Sequence, residues 1–101
     1  MNKIDTEFLA FHSSNPHIMD AIVRYTRQLI TAGHKHFGMG AVFERIRWDY
    51  AVSTLADTKG FKINNNYRSR YVRLLEATHP QFKGFYRQRK VAEGSMFNGP
   101  S

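Results

Sequence analysis

Apolar residues recur at helical spacing along most of the chain. From residue 16 to 32, Ile18, Ala21, Ile22, Tyr25, Leu29 and Ala32 fall on one face, and Asp20, Arg24, Arg27 and Thr31 fall opposite. Asn15 stands at the N-cap, Pro16 at the first helical position and Gly33 where a left-handed terminating residue is wanted. This pattern predicts a helix over about 16–32. Met39, Val42, Phe43, Ile46 and Tyr50 repeat the spacing and predict a second helix, about 39–54. Asn64, Asn65 and Asn66 are three successive N-cap candidates, and Tyr67, Tyr71, Leu74, Leu75 and Thr78 then share a face, which predicts a third helix over about 65–78.

Ahead of these, DTEFLAFH at residues 5–12 predicts a short helix capped by Asp5, with Phe8, Leu9 and Phe11 as an apolar patch. So short a helix holds only against a partner. The stretch GHKHFGMG, with three glycines, reads as a connector, DTKG as a break and FKI as a brief extended piece. His79-Pro80 ends the third helix, after which Phe82, Phe85 and Tyr86 return to the core with Lys83, Arg87, Arg89 and Lys90 outward. The closing VAEGSMFNGPS has the composition of a flexible tail. The expected architecture is all-α: a small tri-helical bundle with a short N-terminal helix, in a helix-turn-helix-like or winged variant. One domain covers residues 1–90 and a tail covers 91–101.

Composition narrows the class. A chain of 101 residues fits one small domain, and its eight Phe, five Tyr and single Trp read first as core. No cysteine is present, which removes a disulfide scaffold, a thiolate nucleophile and a cysteine zinc site. No run approaches the ~20 apolar residues of a membrane span, and MNKIDTEF is no signal peptide, so a cytoplasmic protein without membrane contact is expected.

The net charge of +7 is unevenly placed. Residues 1–60 hold seven basic and six acidic side chains, a net +1, whereas residues 61–101 hold eight and two, a net +6. Five of those eight bases are arginine, the better phosphate ligand. If the third helix and the following segment pack side by side, Lys62, Arg68, Arg70, Arg73, Lys83, Arg87, Arg89 and Lys90 form one positive surface, as phosphate binding requires. The bland alternative is a solvated face that keeps the protein soluble.

Two helices followed by a third with a polar N-terminal turn is the plan of a helix-turn-helix, whose last helix enters the major groove. Asn pairs with adenine and Arg with guanine in bidentate fashion, so Asn65, Asn66, Arg68, Ser69 and Arg73 are the candidate base readers. The gap from Thr54 to Asn64 exceeds the usual turn of ~3–4 residues, so a variant is expected. Capping is the competing role for the asparagines. Duplex DNA is favoured over RNA because the tyrosines lie mostly on inner faces, unlike a stacking platform. A homodimer is expected only if a palindromic site is read.

Other chemistry finds little support. His34 and His36 with His12 or His17 bring three imidazoles but no acidic or cysteine second shell, so no metal is expected. His12 reads instead as a hydrogen-bonding tie between the first segment and the long helix. The acids Asp5, Glu7, Asp20, Glu44, Asp49, Asp57, Glu76 and Glu93 are scattered, and Glu44 and Asp49 are about 140° apart on a helix. No paired-carboxylate nuclease site follows from them. The glycine connector does not match G-x-x-x-x-G-K-S/T, and no nucleophile signature appears, so neither an enzyme nor a cofactor is expected.

The strings FLAFHSSNPHI, FERIRWDY, FKINNNYRSRYVRLL and HPQFKGFYRQR resemble a family of small bacteriophage and prophage proteins. The matching residues are Phe11, His12, Asn15, Pro16, Glu44, Arg45, Arg47, Trp48, Asn64, Asn65, Tyr67, Arg70, Tyr71, Arg73, Phe85 and Arg89, spanning roughly residues 8–89. The resemblance implies a phage or prophage setting in a bacterial cytoplasm and supplies no catalytic residue. Beside DNA binding it leaves a second reading, a phage-encoded factor that docks on a host or defence protein. Trp48 on the outer face of the second helix, beside Arg47, would anchor such a partner. Typical Trp burial makes packing against Phe8 and Phe11 the stronger expectation for Trp48.

Overall fold

The computed structural model describes residues 2–53 and 62–87. Four α-helices form among them: α1 (Lys3–Ser14), α2 (Pro16–Thr31), α3 (Met39–Ala51) and α4 (Arg68–Thr78), with 3₁₀ turns at Asn65–Tyr67 and Pro80–Phe82. No strand is present among the described residues, where a lone parallel bridge joins Phe37 to Tyr86. The protein is all-α, and the described residues contain no wing. No described helix is long and apolar enough to cross a membrane. The tail 91–101, Arg89, Lys90, Phe61 of the extended piece and Thr54 at the expected helix end lie outside the described residues.

The core is built where the four apolar faces meet. Ile18 and Ile22 of α2, Phe43 and Ile46 of α3, and Tyr71, Val72 and Leu75 of α4 are fully or almost fully buried. Burial of these seven side chains supplies the main driving force, at about 1.5–3 kcal/mol for each large aliphatic or aromatic group. α1 lies across this centre through Phe8, whose ring meets Tyr71 edge-on at 4.8 Å and Tyr67 at 5.6 Å between centroids. Such edge-to-face pairs add to simple burial. Phe82, Phe85 and Tyr86 close the far side, as their spacing predicts.

Helix ends show which expectations need correction. α1 begins at Lys3 because Asn2, not Asp5, is its cap: the Asn2 Oδ1 accepts from the Asp5 amide at 2.8 Å. Asp5 is thereby left in the first turn, where a carboxylate suits the helix dipole. Pro16 is the first residue of α2, and Gly33 past its end has φ of 101°. Asn15 makes no side-chain cap to α2, however; its Nδ2 turns back and donates to the Phe11 carbonyl at 3.0 Å. Asn15 therefore closes the end of α1, and the hydrogen-bonded tie to the long helix expected of the His12 side chain is not made among the described residues. The His12 ring instead packs against Phe8 and Tyr71, with its Nδ1 buried and unbonded. The third predicted helix starts as the 3₁₀ turn at Asn65, capped by Asn64, whose Oδ1 accepts from the Asn66 amide at 2.8 Å.

Trp48 is the clearest departure in packing. It is 64% exposed and makes no part of the core, because position 48 lies half a turn from the Met39, Phe43 and Ile46 face of α3. Phe8 and Phe11 take Tyr67 and Tyr71 as partners instead.

Candidate nucleic-acid interface

The candidate surface is centred on α4. With Tyr71, Val72 and Leu75 buried, helical spacing turns Ser69, Arg70, Arg73 and Ala77 outward, and Asn66 of the preceding turn continues the stripe. The Arg70 Nη1 donates to the Asn66 carbonyl at 3.3 Å and to the Ser69 Oγ at 3.4 Å, so these three residues form one connected patch. The Arg73 guanidinium and the Asn66 side-chain amide make no hydrogen bond or ion pair among the described residues, and both residues are exposed.

Two of the expected readers are employed elsewhere. The Asn65 Oδ1 accepts from the Arg47 Nη2 at 2.7 Å, and the same nitrogen donates to the Ile63 carbonyl at 2.8 Å. Arg47 also pairs with Glu44 one turn back. It is thus a clamp from α3 onto the chain that enters α4. Arg68 leans the same way: its Nε donates to the Asn65 carbonyl at 3.1 Å, and its guanidinium lies close over Gly40, where an added Cβ would meet Nη1 at 3.1 Å. Arg70 is held by α1, its Nε donating to the Asp5 Oδ1 at 2.9 Å with both side chains partly shielded. The arginines at 68, 70 and 73 therefore diverge, toward α3, toward α1 and toward solvent.

The cations Lys62, Lys83 and Arg87 are exposed and unpaired among the described residues, whereas Arg89 and Lys90 lie outside them. Glu76 is occupied, accepting from the Gly84 amide at 2.9 Å and so securing the turn that carries Lys83. Gly84 has φ of 83°, which this turn needs. On α3, Trp48 shares its exposed face with Val52, which is 57% exposed. Next to Trp48 in the chain, Asp49 accepts from the Tyr25 hydroxyl and from the Arg45 Nε, and the latter hydrogen bond is the main reason the Arg45 guanidinium is held above its ordinary range.

Buried hydroxyls shape the support under α4. Burial pushes the Tyr71 phenol well above the ordinary tyrosine range, Tyr67 adds to the shift, and the Tyr71 hydroxyl has no hydrogen-bond partner among the described residues. Tyr86 is also raised by burial, but its hydroxyl meets the Thr26 Oγ1 at 2.7 Å, which opposes the shift. Thr26 belongs to neither the apolar face nor the polar face read for this helix, yet it is fully buried. Among the described residues no three His, Asp or Glu side chains gather as a metal site would require. Comparison with protein-family models, with curated proteins and with solved structures yields no match.

Proposed function

We propose that the protein binds duplex DNA, laying the outer stripe of α4 in a groove and setting the basic segment behind it on phosphates. The observation that carries this reading is the exposed, unpaired Arg73 beside Asn66, Ser69 and Arg70 on one helix face. An amide and a guanidinium so placed have the donors and acceptors that base edges and phosphates match. Lys62, Lys83 and Arg87 add unpaired charge for the backbone. Asn65 and Arg68 are assigned to structure on this reading, since Arg47 and the α3 terminus engage them. The role is one of binding and regulation, not catalysis, in the bacterial cytoplasm and in the phage or prophage setting that the sequence resemblance implies.

The test compares wild type with Arg73→Ala and Asn66→Ala on a generic duplex by fluorescence anisotropy. Arg73→Ala is expected to weaken binding to every duplex and to lower the salt slope by about one. Arg70→Ala is a poorer test, because it also releases α1 from α4. No binding by wild type, or Arg73→Ala binding as wild type does, would refute the reading.

The exposure of Trp48 and Val52 favours one second reading, a factor that docks on a host or defence protein through α3. Pull-down from nuclease-treated host lysate with wild type and Trp48→Ala separates the two. A partner that survives nuclease and is lost with the tryptophan supports docking.

A further inference from the structure

The outward face of α2 holds a second surface that uses none of the α4 stripe. Val23 is half-buried there over the core residue Met19, which is 9% exposed, and Ile30, 42% exposed, continues the line of Val23 two turns on. Met19, Val23, Thr31, Ala32 and His79 line an open groove of about 800 Å³, and Ile30 stands exposed on the same helix outside that lining. Arg24 and Arg27 stand along it. Neither makes an ion pair among the described residues. Each is backed by a ring: the Arg24 guanidinium lies 5.0 Å from the Tyr25 centroid and that of Arg27 5.8 Å from the Phe82 centroid.

Stacking occupies one face of a guanidinium and leaves its N–H edge free in a set orientation, ready for a carboxylate. Arg27 follows Arg24 at i+3, so their edges stand about one turn apart, the spacing of carboxylates at i and i+3 or i+4 of another helix. The single acid of the groove, Asp20, stands one turn before Arg24. A phosphate backbone would satisfy the arginines but cover none of the apolar line, whereas an amphipathic helix does both.

We propose that this face of α2 docks an acidic amphipathic helix of a protein partner, with apolar side chains on Val23 and Ile30 and two carboxylates on Arg24 and Arg27. The site is independent of the DNA reading and stands or falls by its own test. Two labelled helical peptides of about 16 residues share one Leu and Phe face and differ only in carrying Glu or Lys at two positions a turn apart. Wild type is expected to bind the Glu peptide saturably and at least about tenfold more tightly than the Lys peptide. The Arg24→Glu, Arg27→Glu double variant is expected to reverse that order, its charges being exposed and its fold checked by thermal melting. On wild type alone, amide shifts should move along residues 19–32 and not along 66–77. No saturable binding, equal affinity for both peptides, a preference that survives the double variant, or shifts elsewhere would overturn the proposal. So would a duplex that displaces the peptide and loses the same affinity in the double variant, since the face would then be a phosphate contact.

Discussion

Replacing Arg47 with alanine should loosen the start of α4 more than any exposed charge change on α3. The side chain is 27% exposed and its Nη2 bridges the Ile63 carbonyl and the Asn65 Oδ1, while Glu44, its ionic partner, is 72% exposed. A charge-assisted hydrogen bond contributes about 1.5–3 kcal/mol, with the more exposed Asn65 contact at or below the lower end. The ion pair with Glu44 adds little, since exposed pairs are worth ~0–1 kcal/mol. Contact of the guanidinium with the Phe43 ring, 5.9 Å from its centroid, adds about 0.5 kcal/mol. The sum is a loss of about 2–6 kcal/mol for Arg47→Ala. Arg47→Lys keeps the charge but loses the two-acceptor fork and should lose about half as much. Glu44→Ala should cost less than about 0.5 kcal/mol. Urea unfolding followed by circular dichroism measures all three, and hydrogen exchange at residues 66–68 locates the effect. An Arg47→Ala variant within about 0.5 kcal/mol of wild type, or a Glu44→Ala variant equally damaged, would refute the reasoning.

Three further outcomes follow from the buried hydroxyls and their titration. Tyr71→Phe removes an unpartnered buried hydroxyl and should be neutral or stabilising by up to about 1 kcal/mol in urea unfolding; a clear loss would show a missed partner. Thr26→Val leaves the Tyr86 hydroxyl buried without its bond and should cost about 1–3 kcal/mol by the same assay. Because Tyr71 and Tyr86 hold their protons more tightly in the fold than in the unfolded chain, the unfolded state releases protons first above its ordinary tyrosine range. Stability is therefore full below about pH 10 and falls as pH rises beyond it, and Tyr71→Phe should flatten that fall in pH-dependent melting.

Much of the fold was legible because helices announce themselves locally. Pro16, Gly33 and the runs through Ile18, Phe43 and Leu75 mark the helices within a few residues of their true ends. What escaped is what depends on residues distant in sequence. Thr26 is buried because Tyr86, sixty residues on, meets its hydroxyl, and Arg70 is diverted by Asp5, sixty-five residues away. Arg47, singled out as part of a protein-docking surface, is instead the clamp on Asn65. Trp48 stood on the outer face of its helix by register and was weighed toward the core only from average tryptophan burial; at 64% exposure the register decides. The candidate site was half legible: the charge segregation and the α4 stripe with Asn66 and Arg73 stand in the sequence, whereas the divergence of Arg68 and Arg70 does not.

The salt dependence of duplex binding tests the central claim most directly. If about four cations, with Arg73, Lys62, Lys83 and Arg87 the unpaired ones at hand, meet phosphates, log K should fall with log salt at a slope near −3.6. Raising salt from about 50 to about 200 mM should then weaken wild-type affinity by about two orders of magnitude. No binding at the lower salt, or binding that hardly changes across that range, would contradict the account.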